Sequence, residues 1–232
     1  MKTKLEQQAA LVANLRKHVD RLAGLIGPRH LARPINLAAA ATLVERELSQ
    51  SGYPVERLPF LIGTQEVVNI VAELPGAGRK EEIVILGAHY DTVPTTPGAD
   101  DNASAVAVLL EVARLLRQRP TQRTVRFVAF PCEEAPHFNV GEMGSQAYAK
   151  LCRARGDRIV GMLCLEKPTN PNRDPQVPAL GLPTERQLSG GRCKPPLMGA
   201  TVEVLPRVQT GRALPDFLHR AASALYRSNA AR

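Results

Sequence analysis

The sequence predicts an α/β fold, a three-layer sandwich whose mixed, mostly parallel β-sheet is flanked by helices. Three observations carry this reading. Between residues 81 and 166, apolar β-rich runs alternate with helix-period runs in the order strand, helix, strand, helix, strand. Parallel pairing needs such crossover connections. The strand runs EEIVILGAHYD, TVRFVAF and RIVGMLCLE are near-continuously apolar, as strands covered on both faces are. Finally, 44% of the 232 residues are hydrophobic, enough to fill a core, although aromatics are only 4% and Trp is absent. Leu, Val, Ile and Ala must therefore do most of the packing.

In chain order, residues 4–26 carry Leu5, Leu11, Val12, Leu15, Val19, Leu22 and Ile26 near helical spacing. A second helix is expected over residues 36–50, after Pro34 and stopping at Gly52. The runs VERLPFLI, VVNIVAEL and EEIVILGAHYD read as strands, with PGAGRK as a turn between the last two. NASAVAVLLEVARLLRQ is a strong helix, with Asp101 or Asn102 placed to cap it. TVRFVAF is a strand, GSQAYAKLCRAR a helix and RIVGMLCLE a buried-type strand. After Glu166 the character changes. Residues 167–199 are rich in Pro, Gly and polar residues without period, and read as an irregular tail. GATVEVLPRV and LPDFLHRAASALYR could add one short strand and one short helix. The expected organisation is an incomplete α/β domain over residues 1–166 and a divergent tail over 167–232. No internal repeat is found.

Composition narrows the function. No apolar run approaches the roughly 20 residues of a membrane span. The opening MKTKLEQQ is polar, unlike a signal peptide, so a cytoplasmic protein is expected. The net charge of +8 comes from scattered Lys and Arg, without a basic block or interleaved aromatics, so neither nucleic acid nor a membrane surface is the expected partner. Cys132, Cys152, Cys164 and Cys193 have no CxxC spacing and read as reduced thiols. Oligomeric state is not legible.

Three clusters near strand ends carry chemistry: GAHYD with His89 and Asp91, GADDNAS with Asp100 and Asp101, and FPCEEA with Glu133 and Glu134. A fourth carboxylate, Glu166, ends GMLCLE. In a parallel sheet the C-terminal strand ends line one crevice, so these residues should converge. Taken singly, an HxD at a strand end is usually structural, an EE pair is usually a solvated loop, and DD before a helix is usually a cap. Their joint order, each after a strand, points to a site. A His among several carboxylates suits Zn²⁺, and less selectively Mn²⁺ or Co²⁺. Two co-catalytic metals about 3.5–4 Å apart favour a bridging carboxylate. Asp91, two residues beyond His89, is a natural partner to orient the imidazole. Of the Glu133–Glu134 pair, one can bind metal while the other takes a proton from water.

The segments ILGAHYDTVPTTPGADDNASAVAVLLEVARLL, RTVRFVAFPCEEAPHFNVGEMGSQAYA and GMLCLE resemble the co-catalytic zinc aminopeptidases, peptidase family M28, of the bacterial leucyl-aminopeptidase type. The resemblance covers roughly residues 35–166. It implies a zinc-peptidase fold, two Zn²⁺ per chain, peptide substrates and hydrolysis of the N-terminal peptide bond. By the same resemblance His89 matches a zinc ligand, Asp91 its orienting partner, Asp101 the bridging ligand, Glu133 the general base and Glu134 a ligand of one zinc. Glu166 falls where the family has an Asp or Glu ligand of the other. Two departures stand out. The family usually has Gly where Ala105 ends GADDNASA. Beyond Glu166, the family's apolar continuation and its last zinc-binding His find no counterpart. His219 lies in a helix-like run, and His137, in the loop after the EE pair, is a substitute to be weighed. The alternatives are a catalytically inactive metal-binding remnant and a glutaminyl-cyclase-like acyl transferase. The cyclases resemble this pattern with a single zinc and an altered first His motif.

Overall fold

The structure is a computed structural model and describes residues 3–166. The irregular tail, with its short strand and helix, Cys193 and His219, lies outside the described residues.

The chain opens with α1 (Lys4–Val19), started by a reciprocal cap in which the Glu6 amide donates to Thr3 Oγ1 and the Thr3 amide to Glu6 Oε2. It runs on into a π-helical stretch, Asp20–Ile26, so the expected helix over residues 4–26 is present as two helical types in series. Gly27, at φ 76°, ends it. Pro34 begins α2 (Pro34–Gln50), where its missing N–H costs nothing and its fixed φ suits the first turn. Strands β1 (Val55–Ile62) and β2 (Gln65–Leu74) form a hairpin whose two-residue turn places Gly63 at φ +58°. Next come β3 (Arg79–His89), α3 (Ala105–Leu116), β4 (Arg123–Phe130), the four-residue α4 (His137–Val140), α5 (Gly144–Arg155) and β5 (Arg158–Leu165). Arg79 and Lys80, read as turn from composition, belong to β3. Their backbone follows β4, with Arg79 paired to Arg123.

The sheet order is β1-β2-β4-β3-β5. β3 pairs parallel with β4 and β5, whereas β2 runs antiparallel to both β1 and β4. Four of the five strands thus share one direction, and only β2 opposes it. Helices cover both faces. On one, α1, α2 and α3 bury Leu15, Val44, Leu48, Val106 and Leu109 against Ile70, Leu86 and Phe127. On the other, Tyr148 and Cys152 of α5 pack on Ile83, Ile85, Val128 and Phe130. Between α1 and α3, the 1% exposed Glu111 accepts hydrogen bonds from Asn14 and Arg114 and lies 3.5 Å from His18 Nε2.

The cap expected for α3 is not formed. Asp101 and Asn102 lie in a π-helical turn, Ala99–Ser104, with non-helical backbone at both residues, and no side chain caps α3. The Asn102 amide donates instead to the Leu165 carbonyl of β5. Asp101 is thereby left to face the end of β3. Among the described residues Cys132, Cys152 and Cys164 are free thiols, and no helix is long and apolar enough to cross a membrane.

Candidate metal centre

Because β3, β4 and β5 are parallel, their C-terminal ends open on one edge of the sheet. His89 closes β3 there and is 3% exposed. Asp101 reaches it from the turn before α3, with Oδ1 3.2 Å from His89 Nε2. Glu166, just past β5, lies 3.6 Å from the same nitrogen, and Glu133, beyond β4, lies 3.9 Å away. Two sets of potential ligands share this imidazole: His89 with Asp101 and Glu166, and His89 with Glu133 and Glu134. Within each set the ligand atoms lie within 4.8 Å of one another. His89, Asp101, Glu134 and Glu166 therefore meet in one place, together with Glu133. Both members of the Glu pair come within ligand range, so distance alone does not separate a base from a ligand. His137 joins neither set. It sits in α4 with Nδ1 3.4 Å from Glu142.

Burial, reinforced by crowded negative charge, sets the electrostatics. Glu134 is pushed up to about 7 by burial first, then by Asp101, Asp91 and Glu133, against the opposing pull of His89. Burial also raises Glu133; His89 opposes this, while Glu166, Asp91 and Asp101 add to it. Burial alone would lower the pKa of His89, but contacts with Asp101, Asp91 and Glu166 hold it well above its ordinary value.

The supporting residues are as ordered as the site. Asp91, 3% exposed, sits 3.4 Å from His89 Nδ1 and accepts the backbone N–H groups of Glu133 and Glu134, each at 3.1 Å. It thus fixes both the imidazole and the Glu pair, a double role that its place in HxD does not disclose. Cys132, just before the pair, is held at φ 59°, a region costly for a side-chain-bearing residue and tolerated where a site imposes it. Asn102 ties the Asp101 turn to the end of β5. Arg29, fully buried, donates to the carbonyls of Tyr90, Pro97 and Gly98 on the loop between His89 and Asp101. Burial lowers its pKa to about 10, while Asp91 and Asp101 oppose the shift, so it is cationic at neutral pH. Gly98 has φ +62°, and a Cβ there would strike Thr92 Cγ2 and the Asp101 carbonyl. None of Arg29, Thr92, Gly98 or Asn102 was singled out as a site residue from sequence. Gly98 and Asn102 lie inside GADDNAS, whereas Arg29 and Thr92 carry no local signal.

The donor set fits divalent metal. Nε2 of the buried His89 lacks a well-directed hydrogen bond although the carboxylates of Asp101, Glu166 and Glu133 surround it. A buried polar atom is seldom left so, and one aimed between carboxylate oxygens is poised for a cation.

Comparison with known proteins agrees with the geometry. Residues 69–195 match the sequence model of peptidase family M28, a match that runs past Glu166. The chain is 39% identical over 143 residues to the uncharacterized protein YfbL of Escherichia coli K12, covering 58% of this chain and 44% of that one. It is 40% identical over 85 residues to the aminopeptidase YwaD of Bacillus subtilis, covering 37% and 17%. This chain therefore spans less than half the length of these curated relatives. The fold resembles that of a zinc aminopeptidase from Bacillus subtilis, with a TM-score of 0.62 at 16% identity over 72% of this chain and 71% of that one. It also resembles a glutaminyl cyclase from Fimbriiglobus ruber, with a TM-score of 0.56 at 22% identity over 66% and 60%.

Proposed function

This chain belongs to peptidase family M28, and we propose that it is a zinc-dependent aminopeptidase that hydrolyses the N-terminal bond of peptides. The observation that carries the reading is the buried His89 imidazole, shared by two carboxylate sets at the strand ends. His89, Asp101, Glu134 and Glu166 would hold the metal. The similarity to zinc aminopeptidases supports zinc as the metal.

Zinc bound there supplies Lewis acidity and a water acidic enough to lose its proton near neutral pH. Glu133 would accept the proton of the attacking water and pass it to the leaving amine. Its side chain is 43% exposed, so its carboxylate can meet a substrate entering from solvent, and Asp91 pins its backbone through the amide. Asp91 also steadies the imidazole at Nδ1, leaving Nε2 toward Asp101 and Glu166. The crowded carboxylates suit a substrate amine, which arrives as a cation.

Acyl transfer of the glutaminyl-cyclase kind occurs on a similar fold, and one assay separates the two. The full chain, supplied with Zn²⁺, is offered leucine p-nitroanilide and, separately, a peptide with N-terminal glutamine. Release of nitroaniline without pyroglutamate supports the aminopeptidase. Pyroglutamate without hydrolysis supports the cyclase, and metal uptake with neither product supports an inactive metal-binding remnant.

A further inference from the structure

The metal centre depends on a loop with little regular structure. Residues 90–98 join His89, at the end of β3, to the turn that carries Asp101. What holds the two ends of this loop together is a single residue from a distant part of the chain, Arg29. Its Nε donates to Tyr90 O at 2.5 Å, its Nη1 to Pro97 O at 2.6 Å and its Nη2 to Gly98 O at 3.1 Å. Nη1 also reaches Leu22 O and Gly27 O at the end of the π-helical stretch. The backbone adds a second grip: the Arg29 amide donates to Thr92 Oγ1, and the Thr92 amide to the Arg29 carbonyl, each at 3.0 Å.

Burying a guanidinium completely is costly unless its donors are met and its charge is answered. Here carbonyls meet the donors, and the nearby charges of Asp91 and Asp101 answer the cation. A planar fork of five donors can span carbonyls from both ends of the loop; an ammonium with three donors at one point cannot.

We propose that Arg29 is a positioning residue of the metal centre: its buried guanidinium clips the two ends of the 90–98 loop together, so that His89 and Asp101 stand at ligand spacing. The inference rests on the metal-binding reading above. Groups that orient metal ligands typically change metal affinity by about 10–100-fold when removed.

The test titrates the full chain with Co²⁺, following its visible d–d absorption in competition with a chelator. Arg29→Gln is expected to weaken Co²⁺ binding by about 10–100-fold and to alter the spectrum. Arg29→Lys, which keeps the charge and loses the fork, is expected to remain well below wild-type affinity, because the charge alone does not clip the loop. Arg126→Gln is the control, because Arg126 binds Glu73 and Asp157 through its guanidinium and takes no part in the loop. It should lose stability and keep both affinity and spectrum. Affinity within about twofold of wild type in Arg29→Gln overturns the proposal while leaving the metal reading intact. If neither Arg29 variant folds, Thr92→Val decides: a loss of about tenfold supports the clip, and unchanged affinity assigns Arg29 to folding alone and overturns it. Absence of Co²⁺ binding by the wild type removes the metal reading and the inference with it.

Discussion

Replacing Glu133 with Gln separates proton transfer from metal binding. The amide has nearly the carboxylate's shape but cannot accept a proton at neutral pH. The Glu133 backbone is held by Asp91 through its N–H, a bond the substitution leaves in place. Loss of the charge also relieves repulsion from Glu166, Asp91 and Asp101, so the fold should not weaken. What is lost is general-base catalysis, about 10²–10⁴-fold in rate, or about 3–5 kcal/mol of barrier. The assay is initial-rate hydrolysis of leucine p-nitroanilide, with metal per chain measured on the same samples by elemental analysis. A fall in kcat of that size at unchanged metal content is the expected result. If Glu133→Gln empties the site while Glu134→Gln leaves it filled, the two roles are reversed and the reasoning fails.

The companion change, Glu134→Gln, removes a charged ligand and should lower metal content per chain, read by elemental analysis after dialysis. Glu111 responds to acid. Burial would raise its pKa, yet hydrogen bonds from His18, Arg114 and Asn14 together hold it at about 2 against an ordinary 4.5. A depressed carboxyl contributes stability above the unfolded pKa and loses it as pH falls through the folded one. Unfolding free energy should therefore drop by about 3 kcal/mol from this group between pH 5 and pH 2, and Glu111→Gln should flatten that part of the urea-denaturation profile. Phe127→Ala, at a fully buried β4 position edge-on to Tyr53, should cost about 3–5 kcal/mol in the same measurement.

That five side chains would meet at the strand ends was legible in the sequence. His89, Glu133, Glu134 and Glu166 stand at or just beyond strand ends and Asp101 in the turn that opens α3, and parallel topology brings such positions together. The sheet's apolar interior showed equally well, because strands covered on both faces leave continuous runs such as IVILGA. Residues that act through backbone were not legible. Arg29 binds carbonyls, which every residue possesses, so its sequence neighbourhood carries no mark of its partners. The double grip of Asp91 on two amides is hidden for the same reason. The misplaced cap shows the converse. Asp before a helix is a frequent cap, but here tertiary contacts turn Asp101 toward His89 and tie Asn102 to β5. The place of β2 between β1 and β4 depends on long-range pairing, and local pattern does not encode it.

The position of the metal tests the proposed chemistry without recourse to activity. Crystals grown with Zn²⁺ and measured at the zinc absorption edge should show anomalous peaks about 2.0–2.2 Å from His89 Nε2 and from carboxylate oxygens of Asp101, Glu134 and Glu166. Two peaks about 3.5–4 Å apart, with Asp101 between them, are the predicted result. Zinc bound to full occupancy elsewhere, with no peak in contact with His89, would contradict it.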